Sequence, residues 1–78
     1  MDIVKDLLAI GFVALARSRA NCLAEPERTE VLDYILWQCI NAGDYFNADK
    51  TVQLLGEKLS LEALQIIASK GVVQYQFN

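Results

Sequence analysis

The sequence predicts an all-α protein: three to four short helices packed as a helical-hairpin bundle, an extended C-terminal tail, and a dimeric assembly. Three observations carry this. Apolar residues recur at helical spacing in successive stretches, broken at Glu25-Pro26-Glu27, at Asn41-Ala42-Gly43-Asp44 and at Leu59-Ser60. Only the last residues change period: Val73, Tyr75 and Phe77 alternate with Gln74 and Gln76. And 54% of the 78 residues are hydrophobic. So small a chain buries a limited fraction of its surface, so the surplus is expected to face a second copy.

The first helix is expected over residues 2–23, opened by Asp2, an acid that suits the positive helix end. Ile3, Leu7, Ile10 and Ala14 fall on one stripe, and Val4, Leu8, Gly11 and Leu15 on its neighbour. A helix apolar nearly all round is a buried helix. Ala9, Gly11, Ala14 and Ala16 are small enough for a close backbone approach. Gly11 costs about 1 kcal/mol against alanine inside a helix, which suggests that the closeness is used.

Pro26 ends that element and suits the first position of the next, expected over residues 26–42. Glu25, Glu27 and Glu30 complement its N-terminal dipole. Val31, Leu32, Ile35, Leu36 and Cys39 form its core face. Trp37 lies about opposite Ile35, beside Glu30, Asp33 and Ile40, and Tyr34 sits at the border. An apolar pair on a polar face either covers a neighbouring element or marks a contact surface, where tryptophan is a favoured anchor. Gly43 is placed to take a left-handed conformation past the helix end. Tyr45 and Phe46 are expected to fold back onto the hairpin. Asn47 or Asp49 then caps a third helix, residues 48–58, with Ala48, Val52, Leu55 and Leu59 inward and Asp49, Lys50, Gln53 and Glu57 in water. Ser60 caps a fourth, residues 61–69, with Leu61, Leu64, Ile67 and Ala68 inward. Gly71 closes it, and residues 72–78 form the tail. All belong to one domain, residues 1–78.

Composition removes several function classes. The net charge is −3; residues 1–46 carry four basic and seven acidic side chains, and residues 47–78 three of each. No basic block exists, so nucleic acid is not the expected partner. Lys5, Arg17 and Arg19 make at most a small patch at the solvated end of the first helix. Two cysteines, Cys22 and Cys39, and no histidine leave no structural zinc site and no Ser-His-Asp or Cys-His machinery. The thiols are expected reduced and buried, with a 22–39 disulfide left open. The apolar run at residues 7–16 is ten long, where a membrane span needs about 20. Asp2 and Asp6 sit where an export signal would be basic, so a cytoplasmic protein is expected, with no membrane partner. Glu25, Glu27, Glu30 and Asp33 are the densest acids, and they read as a solvated face rather than a catalytic pair in a cleft. No phosphate loop, dinucleotide fingerprint or calcium loop is present. No cofactor or metal and no enzymatic activity is expected.

Residues 48–70 follow the rhythm of a helix-turn-helix unit. Its recognition helix would present Glu62, Gln65, Ser69 and Lys70, of which one is cationic. A helical hairpin without a DNA role fits the charges better. Residues 31–59 also resemble a known family. The resemblance rests on Val31-Leu32 opening a helix, on Gly43-Asp44 and Asn47 at the corner, and on Leu55 and Leu59 beyond it. Upstream, Asn21, Leu23 and the acidic stretch from Glu25 to Glu30 add to it. In these positions, about half the chain, it is similar to the small biofilm-development and acid-resistance regulators of enteric bacteria, two-component-system connector proteins. The resemblance implies an all-helical homodimer that regulates through protein or DNA contacts. The chain departs from that pattern in its apolar first helix, in Trp37 and in its uncharged end, departures that argue against DNA.

The functional expectation is a small non-enzymatic adaptor or regulator that pairs with itself and with an unidentified protein. Ile3, Leu7, Ile10 and Ala14 would form the dimer core, and Tyr34, Trp37 and Ile40 the partner surface. The alternatives are a DNA-binding regulator using residues 48–70, and a phage- or secretion-associated inhibitor or chaperone of one specific protein.

Overall fold

The computed structural model describes residues 2–58 and 61–69 of the chain. They form five α-helices: α1 Asp2–Ala9, α2 Val13–Asn21, α3 Glu27–Ala42, α4 Tyr45–Leu55 and α5 Leu61–Ser69, with a 3₁₀ turn, Gly56–Lys58, after α4. No strand occurs among the described residues. Residues 59–60 and 70–78, and with them the expected tail and Lys70, lie outside the described residues.

Helix α3 is the spine. Val31, Leu32, Ile35, Leu36, Cys39 and Ile40 are all buried, and Leu32, Ile35 and Leu36 are fully so. Each such side chain contributes about 1.5–3 kcal/mol when removed from water. Helix α2 presents Ala16 and Ala20, both without exposed surface, so its backbone sits close to its neighbours. Helix α4 presents Ala48, Thr51, Val52 and Leu55. The hydroxyl of Thr51 is buried without penalty because it donates to the Asn47 carbonyl at 2.9 Å. Val4 of α1 and Ala63 and Ile67 of α5 complete the core from either end of the chain.

Side-chain bonds fix the helix directions. Arg28, at the start of α3, donates to the Leu54 carbonyl at the end of α4 and to Asn21 at the end of α2, both at 2.9 Å. Arg17 of α2 donates to Asn47 in the first turn of α4 at 3.1 Å. So α2, α3 and α4 alternate in direction, and α4 folds back along α3. Glu25 holds the same end together: its carboxylate accepts from the Thr29 amide at 2.9 Å, from the Thr29 hydroxyl, and from the Lys58 ammonium. Those bonds, that of Lys58 foremost, pull its pKa from 4.5 to about 2.

Two glycines make the corners. At Gly43 (φ 76°) the Gly43 amide donates to the Ile40 carbonyl and the Asp44 amide to the Cys39 carbonyl. This pair of bonds is the Schellman motif, which satisfies the last carbonyls of a helix and needs a left-handed residue. Gly11 (φ 87°) repeats it: its amide donates to the Leu8 carbonyl, and the Phe12 amide to the Leu7 carbonyl at 2.8 Å. The single helix expected over residues 2–23 is therefore two helices that turn at Gly11. Its glycine serves backbone conformation, not close approach, since a Cβ there would meet nothing within 4 Å.

Other expected boundaries move for similar local reasons. Helix α4 begins at Tyr45, before the expected residue 48, because Asp44 is the N-cap; its carboxylate accepts the Asn47 amide at 3.2 Å. It ends at Leu55 because Gly56 takes φ 55°. Tyr45 packs against the core as expected, whereas Phe46 is 67% exposed with the Lys50 ammonium over its ring. Asp49 is half-buried rather than in water. On α5 the inward residues are Ala63 and Ile67; Leu61 and Ala68 are exposed.

The two corners make a paired prediction. Gly11→Ala and Gly43→Ala should each destabilise the protein by about 1–2 kcal/mol, the cost of a left-handed L-residue, because the added methyl meets no neighbour. Urea denaturation measures both. A neutral Gly11→Ala would mean that the first turn is not formed as described.

Candidate functional site

A recess of about 270 Å³ lies between α1 and α3. Tyr34, Gln38 and Ala42 recur every fourth residue along α3 and form one wall. Lys5, Leu8 and Ala9 of α1 form the other, Val13 closes it from α2, and Cys39 and Asp44 complete it. Gly11 lies between the α1 wall and Val13, so both sides of that turn border the recess.

The polar groups of the recess differ in how far they are satisfied. Asp44 is spent: one carboxylate oxygen accepts the Asn47 amide and the other accepts the Asn47 side-chain amide at 2.7 Å. The carbonyl oxygen of that amide accepts from Arg17 in turn, so the negative charge has a cation one residue away. Lys5 lies over the face of Tyr34, its ammonium 5.6 Å from the ring centroid. Cys39 is buried beneath, and its thiol is pushed up to about 11, first by burial and then by the charge of Asp44, against the pull of Arg17. At neutral pH it is a protonated, largely apolar group.

The expected site residues are scattered rather than gathered. Ile3 of α1 and Ile10, in the turn just after it, are exposed, 63% and 65%. Leu7 between them is half-buried against the core. Ala14 is exposed, but on α2, beyond the Gly11 turn, so the four do not form one stripe. Tyr34 is half-buried and lines the recess. Trp37 is half-buried against the core cluster. Ile40 is a correction: it is only 8% exposed and belongs to the core. It sits four residues after Leu36, on the stripe of Leu32 and Leu36, and α3 buries that stripe because helices pack on more than one of its sides. Of the DNA-reading candidates, Glu62, Gln65 and Ser69 are exposed on α5, and the Ser69 hydroxyl donates back to the Ile66 carbonyl at 2.7 Å.

Phe12, 55% exposed, and Leu15, 45% exposed, are surface residues that the apolar spacing does not single out. The signal was the glycine before Phe12, in the same relation as Gly43 to Asp44. With Ile3 and Ile10 they make the α1–α2 unit the most apolar exposed part of the described chain. No group of three or more histidine, cysteine or acidic side chains is placed to hold a metal among the described residues. No described helix is long and apolar enough to cross a membrane. No family model, curated protein or solved structure matches this chain.

The two thiols are free and unequally placed: Cys22 is exposed and Cys39 buried, a correction to the expectation that both are buried. Iodoacetamide at pH 8 should therefore modify one thiol per native chain and both in urea. The pKa rise from 9.0 to about 11 alone leaves Cys39 with about a hundredfold less thiolate. Equal native labelling of both cysteines would show that the floor of the recess is open.

Proposed function

We propose that this chain is a small non-enzymatic helical adaptor or regulator that acts through protein–protein contacts as a homodimer. The carrying observation is the unit formed by α1 and α2, which leaves Ile3, Ile10, Phe12 and Leu15 exposed although the chain already has a closed core. Large apolar side chains gathered on one part of a surface support association. The dimer contact is thereby moved from a continuous first-helix stripe to the ridge around Gly11. Trp37 and Tyr34, half-buried on α3, remain the anchors for a second protein, with Ile40 removed from that surface. A regulatory role of the kind implied by the family resemblance fits a module that leaves large apolar side chains exposed for contact. Helix α5 carries Glu62 and no basic residue, so it gives little support to DNA binding.

Sedimentation equilibrium of the full chain should give a dimer at micromolar concentration. Phe12→Asp, at an exposed position, should leave the helical circular dichroism intact and weaken the dimer by about tenfold or more. A wild-type chain that stays monomeric at high micromolar concentration would overturn the dimer.

A further inference from the structure

The recess between α1 and α3 has a chemistry of its own. We propose that it is a binding site for a small free monocarboxylate with an apolar body, the carboxylate held by Lys5 and the body seated against Leu8, Ala9, Val13 and Ala42.

The volume sets the size of the occupant. About 270 Å³ lies just below the range of about 300–1,000 Å³ usual for drug-sized ligands, so the recess takes a small molecule of a few carbons rather than a helix or a folded surface. The walls set its body. Leu8, Ala9, Val13 and Ala42 are apolar, and the Cys39 floor stays protonated at neutral pH.

The charges set its head group. Two opposite charges border the recess, and they are not equally available. Both oxygens of Asp44 already accept hydrogen bonds from Asn47, which is tied to Arg17. An ammonium ligand would have to share that carboxylate with existing donors. Lys5 has its ammonium over the Tyr34 ring and no ion pair with any carboxylate of the described residues. A ring face attracts a cation but uses none of its three N–H donors fully. The unspent charge at the opening is therefore positive, and a carboxylate gains a charge-assisted hydrogen bond there that an alcohol or amine does not. Lys5 is itself exposed, so solvent screens the pair and the binding is weak.

The site uses neither Ile10, Phe12 nor Leu15, so it stands whether or not the chain dimerises through them. An amide nitrogen–proton NMR titration of the full ¹⁵N-labelled chain with hexanoate, hexanol and hexylammonium tests it. Hexanoate should shift the amides of Ala9, Val13, Gln38 and Ala42 along one saturating curve. Hexanol should bind more weakly at the same place, and hexylammonium should not bind there. Lys5→Gln should weaken hexanoate by about fivefold, as expected for one exposed charge pair, and leave hexanol unchanged. Ala42→Leu, at an exposed position, should fill the recess and remove the hexanoate shifts. Hexylammonium binding as well as hexanoate, shifts confined to the ridge at Ile10 and Phe12, or no saturable shift at all would overturn the assignment. Binding of a short peptide with a C-terminal leucine tenfold tighter than hexanoate would overturn the small-molecule occupant in favour of a chain terminus.

Discussion

The burial of α3 between its neighbours is the constraint on which the rest of the structure depends. Leu32, Ile35 and Leu36 have no exposed surface, and residues one or four positions from them, Val31, Cys39 and Ile40, extend the same buried band along the helix. A band that wide cannot be covered by one helix. It requires α4 to fold back along it and α2 to approach closely, which Ala16 and Ala20 allow. The polar bonds then work on an arrangement that apolar burial has already selected. Arg28 reads the ends of α2 and α4 together, and Arg17 reaches from α2 to the first turn of α4. Exposed or half-exposed, such bonds add specificity more than stability.

The glycine corners decide what the core leaves outside. Gly43 brings α4 onto α3 and hands the chain to Asp44, which caps α4 through Asn47. Gly11 turns α1 away from the axis of α2 by the same pair of hydrogen bonds. The consequences differ in kind. The first corner closes a hairpin around the core. The second borders open surface: Ile10 and Phe12 beside it are exposed, and the recess lies between α1 and α3.

The difference between the two corners also explains what could be read in the sequence. The helical class, the inward face of α3 and the terminating role of Gly43 are legible, because apolar residues at spacings of three and four, followed by glycine, leave few alternatives. Gly11 is not, because it lies inside an unbroken apolar run, where nothing polar marks a turn. With that turn unmarked, Ile3, Leu7, Ile10 and Ala14 read as one stripe, Leu15 as part of its neighbour, and Phe12 falls on neither. Ile40 was misplaced for a different reason: it was paired with Trp37, three residues away, rather than with Leu36, four away, and both spacings share a helix face. The recess needed Lys5 and Asp44, 39 positions apart in the chain, to be brought to one opening, which no local pattern encodes.

Helix α3 is the last element to open and α1, attached through a glycine turn and contributing Val4 to the core, the first. Native-state amide hydrogen exchange under mild denaturant reads this order directly, since buried core helices exchange only through global unfolding while peripheral ones open locally. The amides from Leu32 to Cys39 should exchange with the free energy of global unfolding, and those of α1 at a distinctly lower one. Protection of α1 equal to that of α3, or early exchange within α3, would contradict a fold built around that helix.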